Sequence, residues 1–221
     1  MIIQSFHRRL SIALKAILLI EAAIATWEQQ WLTATITMGI VFITLIPLFM
    51  EKRFRVYLPH EFELLAIAFI FASLFLGEVH GYYTRFWWWD IALHTSSGLL
   101  MGIMGFLLVH VLNETRDINL HMTSGFVAFF AFLFAVGVGT LWEIYEFAMD
   151  SFFGTNMQKP MLGDPSGLTD TMWDMIVNAS GALVIAVLGY SYLKTAGNES
   201  FLERWINSFI KKNPGLFDRL R

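Results

Sequence analysis

The chain has 221 residues, of which 56% are hydrophobic and only 15% charged, with a net charge of -3. A soluble domain needs more polar surface than this, and a net charge so small, with no basic cluster alternating with aromatics, implies no nucleic-acid partner. There is no cysteine, which removes disulfides, thiolate metal sites and cysteine nucleophiles together.

Apolar runs of about twenty residues match the thickness of a bilayer's hydrocarbon layer. They predict an all-α, polytopic membrane helix bundle of about six spans, near residues 10–26, 32–50, 61–80, 90–112, 122–149 and 170–193. The bundle occupies 1–196 and a cytoplasmic amphipathic tail occupies 197–221. Arg8, Arg9 and Ala23-Ile24-Ala25 resemble a cleavable leader, but Lys15 and Glu21 interrupt its apolar stretch, so the first helix is read as retained. The segment 150–169 carries Gly154, Pro160, Gly163, Pro165 and Gly167, which predicts an irregular connection.

Lysine and arginine set the orientation. Arg8, Arg9, Lys52, Arg53, Arg55, Arg116 and the basic residues after Leu193 fall on one side, against Arg85 and Lys159 on the other. Both termini are therefore expected in the cytoplasm and the protein in the inner membrane. Trp27, Trp31, Trp87, Trp88, Trp89, Trp142 and Trp173 gather at the opposite, outer boundary, where amphipathic rings prefer to lie. In the tail, Phe201, Leu202, Trp205, Ile206, Phe209 and Ile210 share one helical face flanked by Arg204, Lys211 and Lys212. That pattern suits a helix lying on anionic membrane lipid.

Ionisable groups inside apolar helices are costly and by default mark function. Three sets occur here, each at helical spacing: Asp90 with His94; Glu143, Glu146 and Asp150; Asp170, Asp174 and Asn178. The predicted topology places all three in one band near the outer face. Only Arg85 and Lys159 offer positive charge on that side, so the carboxylates must bind a cation or share protons. His94, Glu143, Glu146, Asp174, Asp90 and Asp170 are the candidate metal ligands. Carboxylate and imidazole together suit Mg²⁺, Mn²⁺, Ca²⁺ or Zn²⁺. Glu143, Glu146 and Asp174 are the candidate catalytic groups, and Arg85, Asp150 and Asn178 the candidate substrate contacts. Asp90 and Asp170 also have a structural reading as helix N-caps. Glu143 and Glu146 lie near a helix C-terminus, where the dipole opposes them and no cap explains them. Gly98, Gly102, Gly137 and Gly139 are read as helix-packing positions. Ser96 and Ser97 have no recognisable Ser/His/Asp arrangement.

The motifs Trp89-Asp90-Ile91-Ala92-Leu93-His94 with Gly98, Trp142-Glu143-Ile144-Tyr145-Glu146-Phe147 with Asp150, and Asp170-Thr171-Met172-Trp173-Asp174 with Asn178 and Gly181-Ala182 resemble the YjdF-like family of multi-pass inner-membrane proteins. The likeness runs from about the third helix onward. A looser similarity links the chain to VanZ-like membrane proteins, which carry Glu-x-x-Gln where this chain has Glu143 and Glu146. Neither resemblance implies a settled reaction. Three functions fit: a divalent-metal-dependent enzyme acting on a lipid or envelope substrate, with 150–169 as a lid; a cation- or proton-coupled transporter; and a non-catalytic envelope or accessory protein. A homo-oligomer would enlarge so small a transporter.

Overall fold

A computed structural model describes residues 2–46, 49, 52–53, 60–114, 122–194 and 208–213. Regular structure among them is helical, apart from an isolated bridge between Met161 and Asp164. The main helices are α1 (Ile2–Trp27), α2 (Trp31–Thr44), α3 (His60–Ile70, continued by a π-helical stretch Phe71–Val79), α4 (Tyr82–Arg85), α5 (Trp89–Glu114), α6 (Ser124–Phe153) and α7 (Leu168–Lys194). Five stretches are long and apolar enough to cross a membrane: Phe6–Trp27, Glu61–Val79, Trp89–Val109, Ser124–Phe153 and Leu168–Lys194. The remaining predicted span, 32–50, contains α2, whose 14 residues extend about 21 Å, short of a bilayer core of about 30 Å. The predicted boundary at 196/197 and most of the amphipathic tail lie outside the described residues. Residues 208–212 of the tail are helical.

The described residues fall into two compact units, the first made of those up to Trp89 together with 208–213 and the second of those from Asp90 to Lys194. In the first, α1 packs on α2 and α3. Leu18, Ile40, Val41 and Phe75 form its core, with Phe71, Leu74 and Val79 packed around them. Charged groups that look isolated in the sequence pair between α1 and α3: Lys15 Nζ is 3.7 Å from Glu63 Oε1, and Glu21 Oε1 is 4.0 Å from His80 Nε2. The π-helical turn closes with the His80 N–H donating to the Phe75 carbonyl five residues back, 3.0 Å. Within it the Ala72 carbonyl also accepts from the Trp89 indole N–H, 3.3 Å. Tyr82 meets both Phe86 and Trp89 edge to face, making an aromatic cluster.

The second unit is built on α6 and α7, which pack along their lengths. The buried stripe of α6 runs Val127, Ala128, Ala131, Ala135, Gly139, Glu143, Glu146. That of α7 runs Asp170, Asp174, Asn178, Gly181, Ala182, Ile185, Ala186, Gly189. Each stripe follows the 3.6-residue period, so the small residues that let the helices approach continue directly into the polar ones. The acids therefore face the packed interior of this unit. Glycines bring α5 equally close to α7. A β-carbon on Gly98 would stand 2.0 Å from the Asn178 carbonyl oxygen, and one on Gly181 would stand 2.3 Å from that of Thr95. Gly102 lies against Ile185 and Gly139 against the Asn178 side chain, whereas Gly137 faces open space. The packing role expected of Gly137 is therefore carried by Gly139 alone.

Candidate functional site

His94 stands at the centre of the polar residues of the second unit. Its Nε2 lies 3.3 Å from Asp90 Oδ1 and 3.8 Å from Asp174 Oδ2, and its Nδ1 lies 3.5 Å from Glu143 Oε1. The ring is thus flanked by carboxylates from all three helices. Asp90 reaches it because a spacing of four puts both residues on one face of α5. Glu143 and Asp174 reach it from the buried stripes of α6 and α7. Glu143 is 4% exposed and Asp174 2%, and Asp174 Oδ2 has no hydrogen-bond partner among the described residues.

Asp90, His94 and Asp174 each offer one ligand atom within 4.8 Å of the others. Neighbouring donors 3–4 Å apart fit one ion with bonds of about 2.0–2.2 Å after small adjustments. Three of the six candidate ligands are thereby brought together. Glu143 meets the opposite ring nitrogen, the position from which a carboxylate fixes a ligating histidine's tautomer and orientation. Glu146 Oε1 accepts the Trp142 indole N–H, 2.8 Å, one turn away on its own helix. Asp170 Oδ2 accepts the Lys159 backbone N–H, 2.7 Å. Arg85 ends α4 in the first unit and is exposed. Asn178 is buried one turn beyond Asp174.

The N-cap reading of Asp90 and Asp170 is corrected, because both helices begin earlier. α5 starts at Trp89 and α7 at Leu168. The start of α7 is served instead by Asp164, whose carboxylate accepts the Ser166 and Thr169 backbone N–H groups and both of their hydroxyls. Asp164-Pro165-Ser166-Gly167 is a turn-forming sequence, and that was the available signal for it. The Ser166 hydroxyl and amide, followed by those of Thr169, hold the Asp164 carboxyl well below the ordinary aspartate range. A depressed folded pKa contributes stability that is fully present above the unfolded value near 4 and is lost as pH falls through the folded one. Asp164→Ala is therefore expected to speed hydrogen exchange of the Ser166 and Thr169 amides at neutral pH, with a difference from wild type that shrinks only in strong acid. An equal difference at every pH would rule out the charged cap.

The connection 154–167 is irregular, as its glycines predict, yet it is extensively bonded. Asp150 Oδ1 accepts the Met157 N–H and the Thr155 hydroxyl, and its Oδ2 accepts the Gln158 N–H. Gln158 Nε2 donates to Thr171 Oγ1, 2.7 Å. Gly154, Leu162, Gly163 and Gly167 take positive φ. The segment expected as a lid is fastened at both ends by carboxylates. Asp150, expected as a substrate contact, uses both oxygens to hold it.

Residues 6–195 match the family described as "Predicted membrane protein (DUF2238)". The chain belongs to this family. It is YjdF-like, in agreement with the three motifs, and the match with the apolar helices makes the chain a multi-pass membrane protein. An uncharacterized protein of Thermotoga maritima is 26% identical over 144 residues, 65% of this chain and 69% of its own length. No solved structure matches the chain. The family match reaches back through α1 and α2, beyond the motif-bearing helices.

Proposed function

We propose that this YjdF-like protein binds one divalent cation through Asp90, His94 and Asp174, and uses it as a Lewis acid on a phosphoryl or carbonyl oxygen of a lipid or envelope substrate. The observation that carries the reading is the convergence of those three donors, with Glu143 on the far nitrogen of the same imidazole. A divalent ion there offsets buried carboxylate charge that a single imidazole leaves uncompensated. Glu143 orients His94 and serves as the nearest base. Glu146, paired with Trp142, lies outside the ligand set.

The close backbone contacts of Gly98 and Gly181 lie on the side of His94 and Asp174 away from the 154–167 connection. They leave little room between α5 and α7 for a polar route through the unit, which favours a site served from one side over a transport pathway. The lysine and arginine distribution supports reading that side as the outer face of an inner membrane, with both termini cytoplasmic.

Metal analysis of the full-length protein, purified in detergent and equilibrated in turn with Mg²⁺, Mn²⁺, Ca²⁺ and Zn²⁺, tests the reading. Stoichiometric retention of one of these by wild type, and its loss in Asp174→Asn, is expected. Glu143→Gln is expected to keep the site but weaken it by about 10–100-fold, the usual effect of removing a carboxylate behind a ligating histidine. Equal metal in wild type and Asp174→Asn, or none in either, would overturn the metal centre.

A further inference from the structure

The 154–167 connection folds back on itself at its tip. Met161 and Asp164 exchange both backbone hydrogen bonds, the Asp164 N–H donating to the Met161 carbonyl at 2.9 Å and the Met161 N–H to that of Asp164 at 3.2 Å. Leu162 and Gly163 turn the chain between them, with φ of 50° and 84°. Two successive positive φ values mark a type I′ hairpin turn, whose first central position favours Asn, Asp or Gly. A leucine there is strained, because its β-carbon crowds the following carbonyl oxygen. Packing inside the protein does not offset that strain, since Leu162 is 80% exposed.

The rest of the connection keeps its polar backbone bonded and leaves apolar groups outside. The Met157 and Gln158 amides donate to Asp150, that of Lys159 to Asp170 and that of Ser166 to Asp164. Pro160 and Pro165 have no amide to satisfy. Phe152 and Phe153 at the end of α6 are exposed, as is Leu168 at the start of α7.

The lengths of the two helices indicate what meets this surface. α6 has 30 residues and extends about 45 Å, and α7 has 27 and extends about 40 Å. Both match a bilayer with its headgroup layers, about 40–45 Å, and exceed a hydrocarbon core of about 30 Å. The ends that the connection joins therefore stand at headgroup level. Leu141, Ile144 and Phe152 share one exposed face of α6, so the apolar surface of the span continues up to the connection.

We propose that Leu162 is a membrane-dipping tip: the connection lies on the bilayer and sets this leucine at the boundary between headgroups and acyl chains. Lipid there takes up the apolar side chain that the fold leaves out. Amides already bonded within the protein enter a layer of low polarity at little cost. The contact is with the bilayer itself and does not depend on the cation proposed above.

The chain has no cysteine, so Leu162→Cys in the full-length protein takes a single nitroxide label. In liposomes, collisions of the label with dissolved oxygen, which concentrates in lipid, are compared with collisions with a water-soluble nickel chelate. Leu141→Cys supplies the lipid-facing reference. An oxygen-to-nickel ratio well above one is expected at 162, and a higher ratio at 141. A ratio of one or below at 162 means that the tip stands in water. A label shielded from both means that protein, such as a second copy of the chain, covers it. Either result overturns the proposal. Should the labelled variant fail to fold, wild-type protein in phosphatidylcholine liposomes, with a diazirine near the top of one acyl chain, gives the second reading. Photo-adducts on the peptide containing Leu162 are expected, and their absence where the peptide containing Phe152 is modified overturns the proposal equally.

Discussion

Gly98→Ala is expected to destabilise the protein by about 3 kcal/mol, the upper part of the usual range for overpacking. The added methyl would stand 2.0 Å from the Asn178 backbone oxygen and 3.1 Å from the Ala182 nitrogen. Backbone cannot move aside as a flexible side chain can, so α5 and α7 must separate. That separation moves His94 away from Asp174, and the variant should lose the cation as well as stability. Gly137→Ala is the control. It adds the same methyl in a helix of the same unit, but nothing lies within 4 Å. There the substitution should be neutral or stabilising by up to about 1 kcal/mol, the helix-propensity difference between glycine and alanine. Unfolding of the three proteins in one detergent compares them, and equal effects of the two alanines would show that the α5–α7 contact is not tight.

His94→Leu should cost about 3–5 kcal/mol, the usual penalty for removing one partner from a buried ion pair. Three carboxylates contact the ring, and Glu143 and Asp174 are almost fully buried. Leucine fills similar space while leaving them without the imidazole. Wild type should also gain melting temperature on addition of the bound cation, by mass action on the folded state, and His94→Leu should not. A variant as stable as wild type would mean that the carboxylates do not depend on His94. A variant that loses stability while keeping the cation response would remove His94 from the ligand set and leave it as a counter-charge.

Much of this arrangement is legible in the sequence, because it depends on spacing along single helices. Steps of three and four bring Asp90 with His94, Glu143 with Glu146, and Asp170 with Asp174 and Asn178 onto common faces. On α6 and α7 these stripes prove to be the buried ones. What spacing along one helix cannot reveal is the rotation and height of its neighbours. These decide that Glu143 meets Nδ1 of His94 while Asp90 and Asp174 meet Nε2, and that Glu146 pairs with Trp142. The start of α7 is misjudged for a related reason. Asp170 has the residue type of an N-cap, but Asp164 and Ser166 already supply the acceptors, leaving Asp170 to bind a backbone amide of the preceding loop. In the first unit, the pairing of Lys15 with Glu63 and of Glu21 with His80 joins residues too distant in sequence for any local pattern to link.

The bonding of the 154–167 connection has a consequence for the helices on either side of it. Gln158 and Lys159 are consecutive residues, yet the amide of one is held by Asp150 of α6 and that of the other by Asp170 of α7. A single peptide step therefore ties the two helix ends together and sets how far one can slide along the other. Glu143 lies about two turns below Asp150, and Asp174 about one turn below Asp170. The connection thus acts as a clamp on the axial register of α6 and α7. One residue inserted between 155 and 159 would shift both amides off their carboxylates and release the register that brings Glu143 and Asp174 to opposite nitrogens of one imidazole.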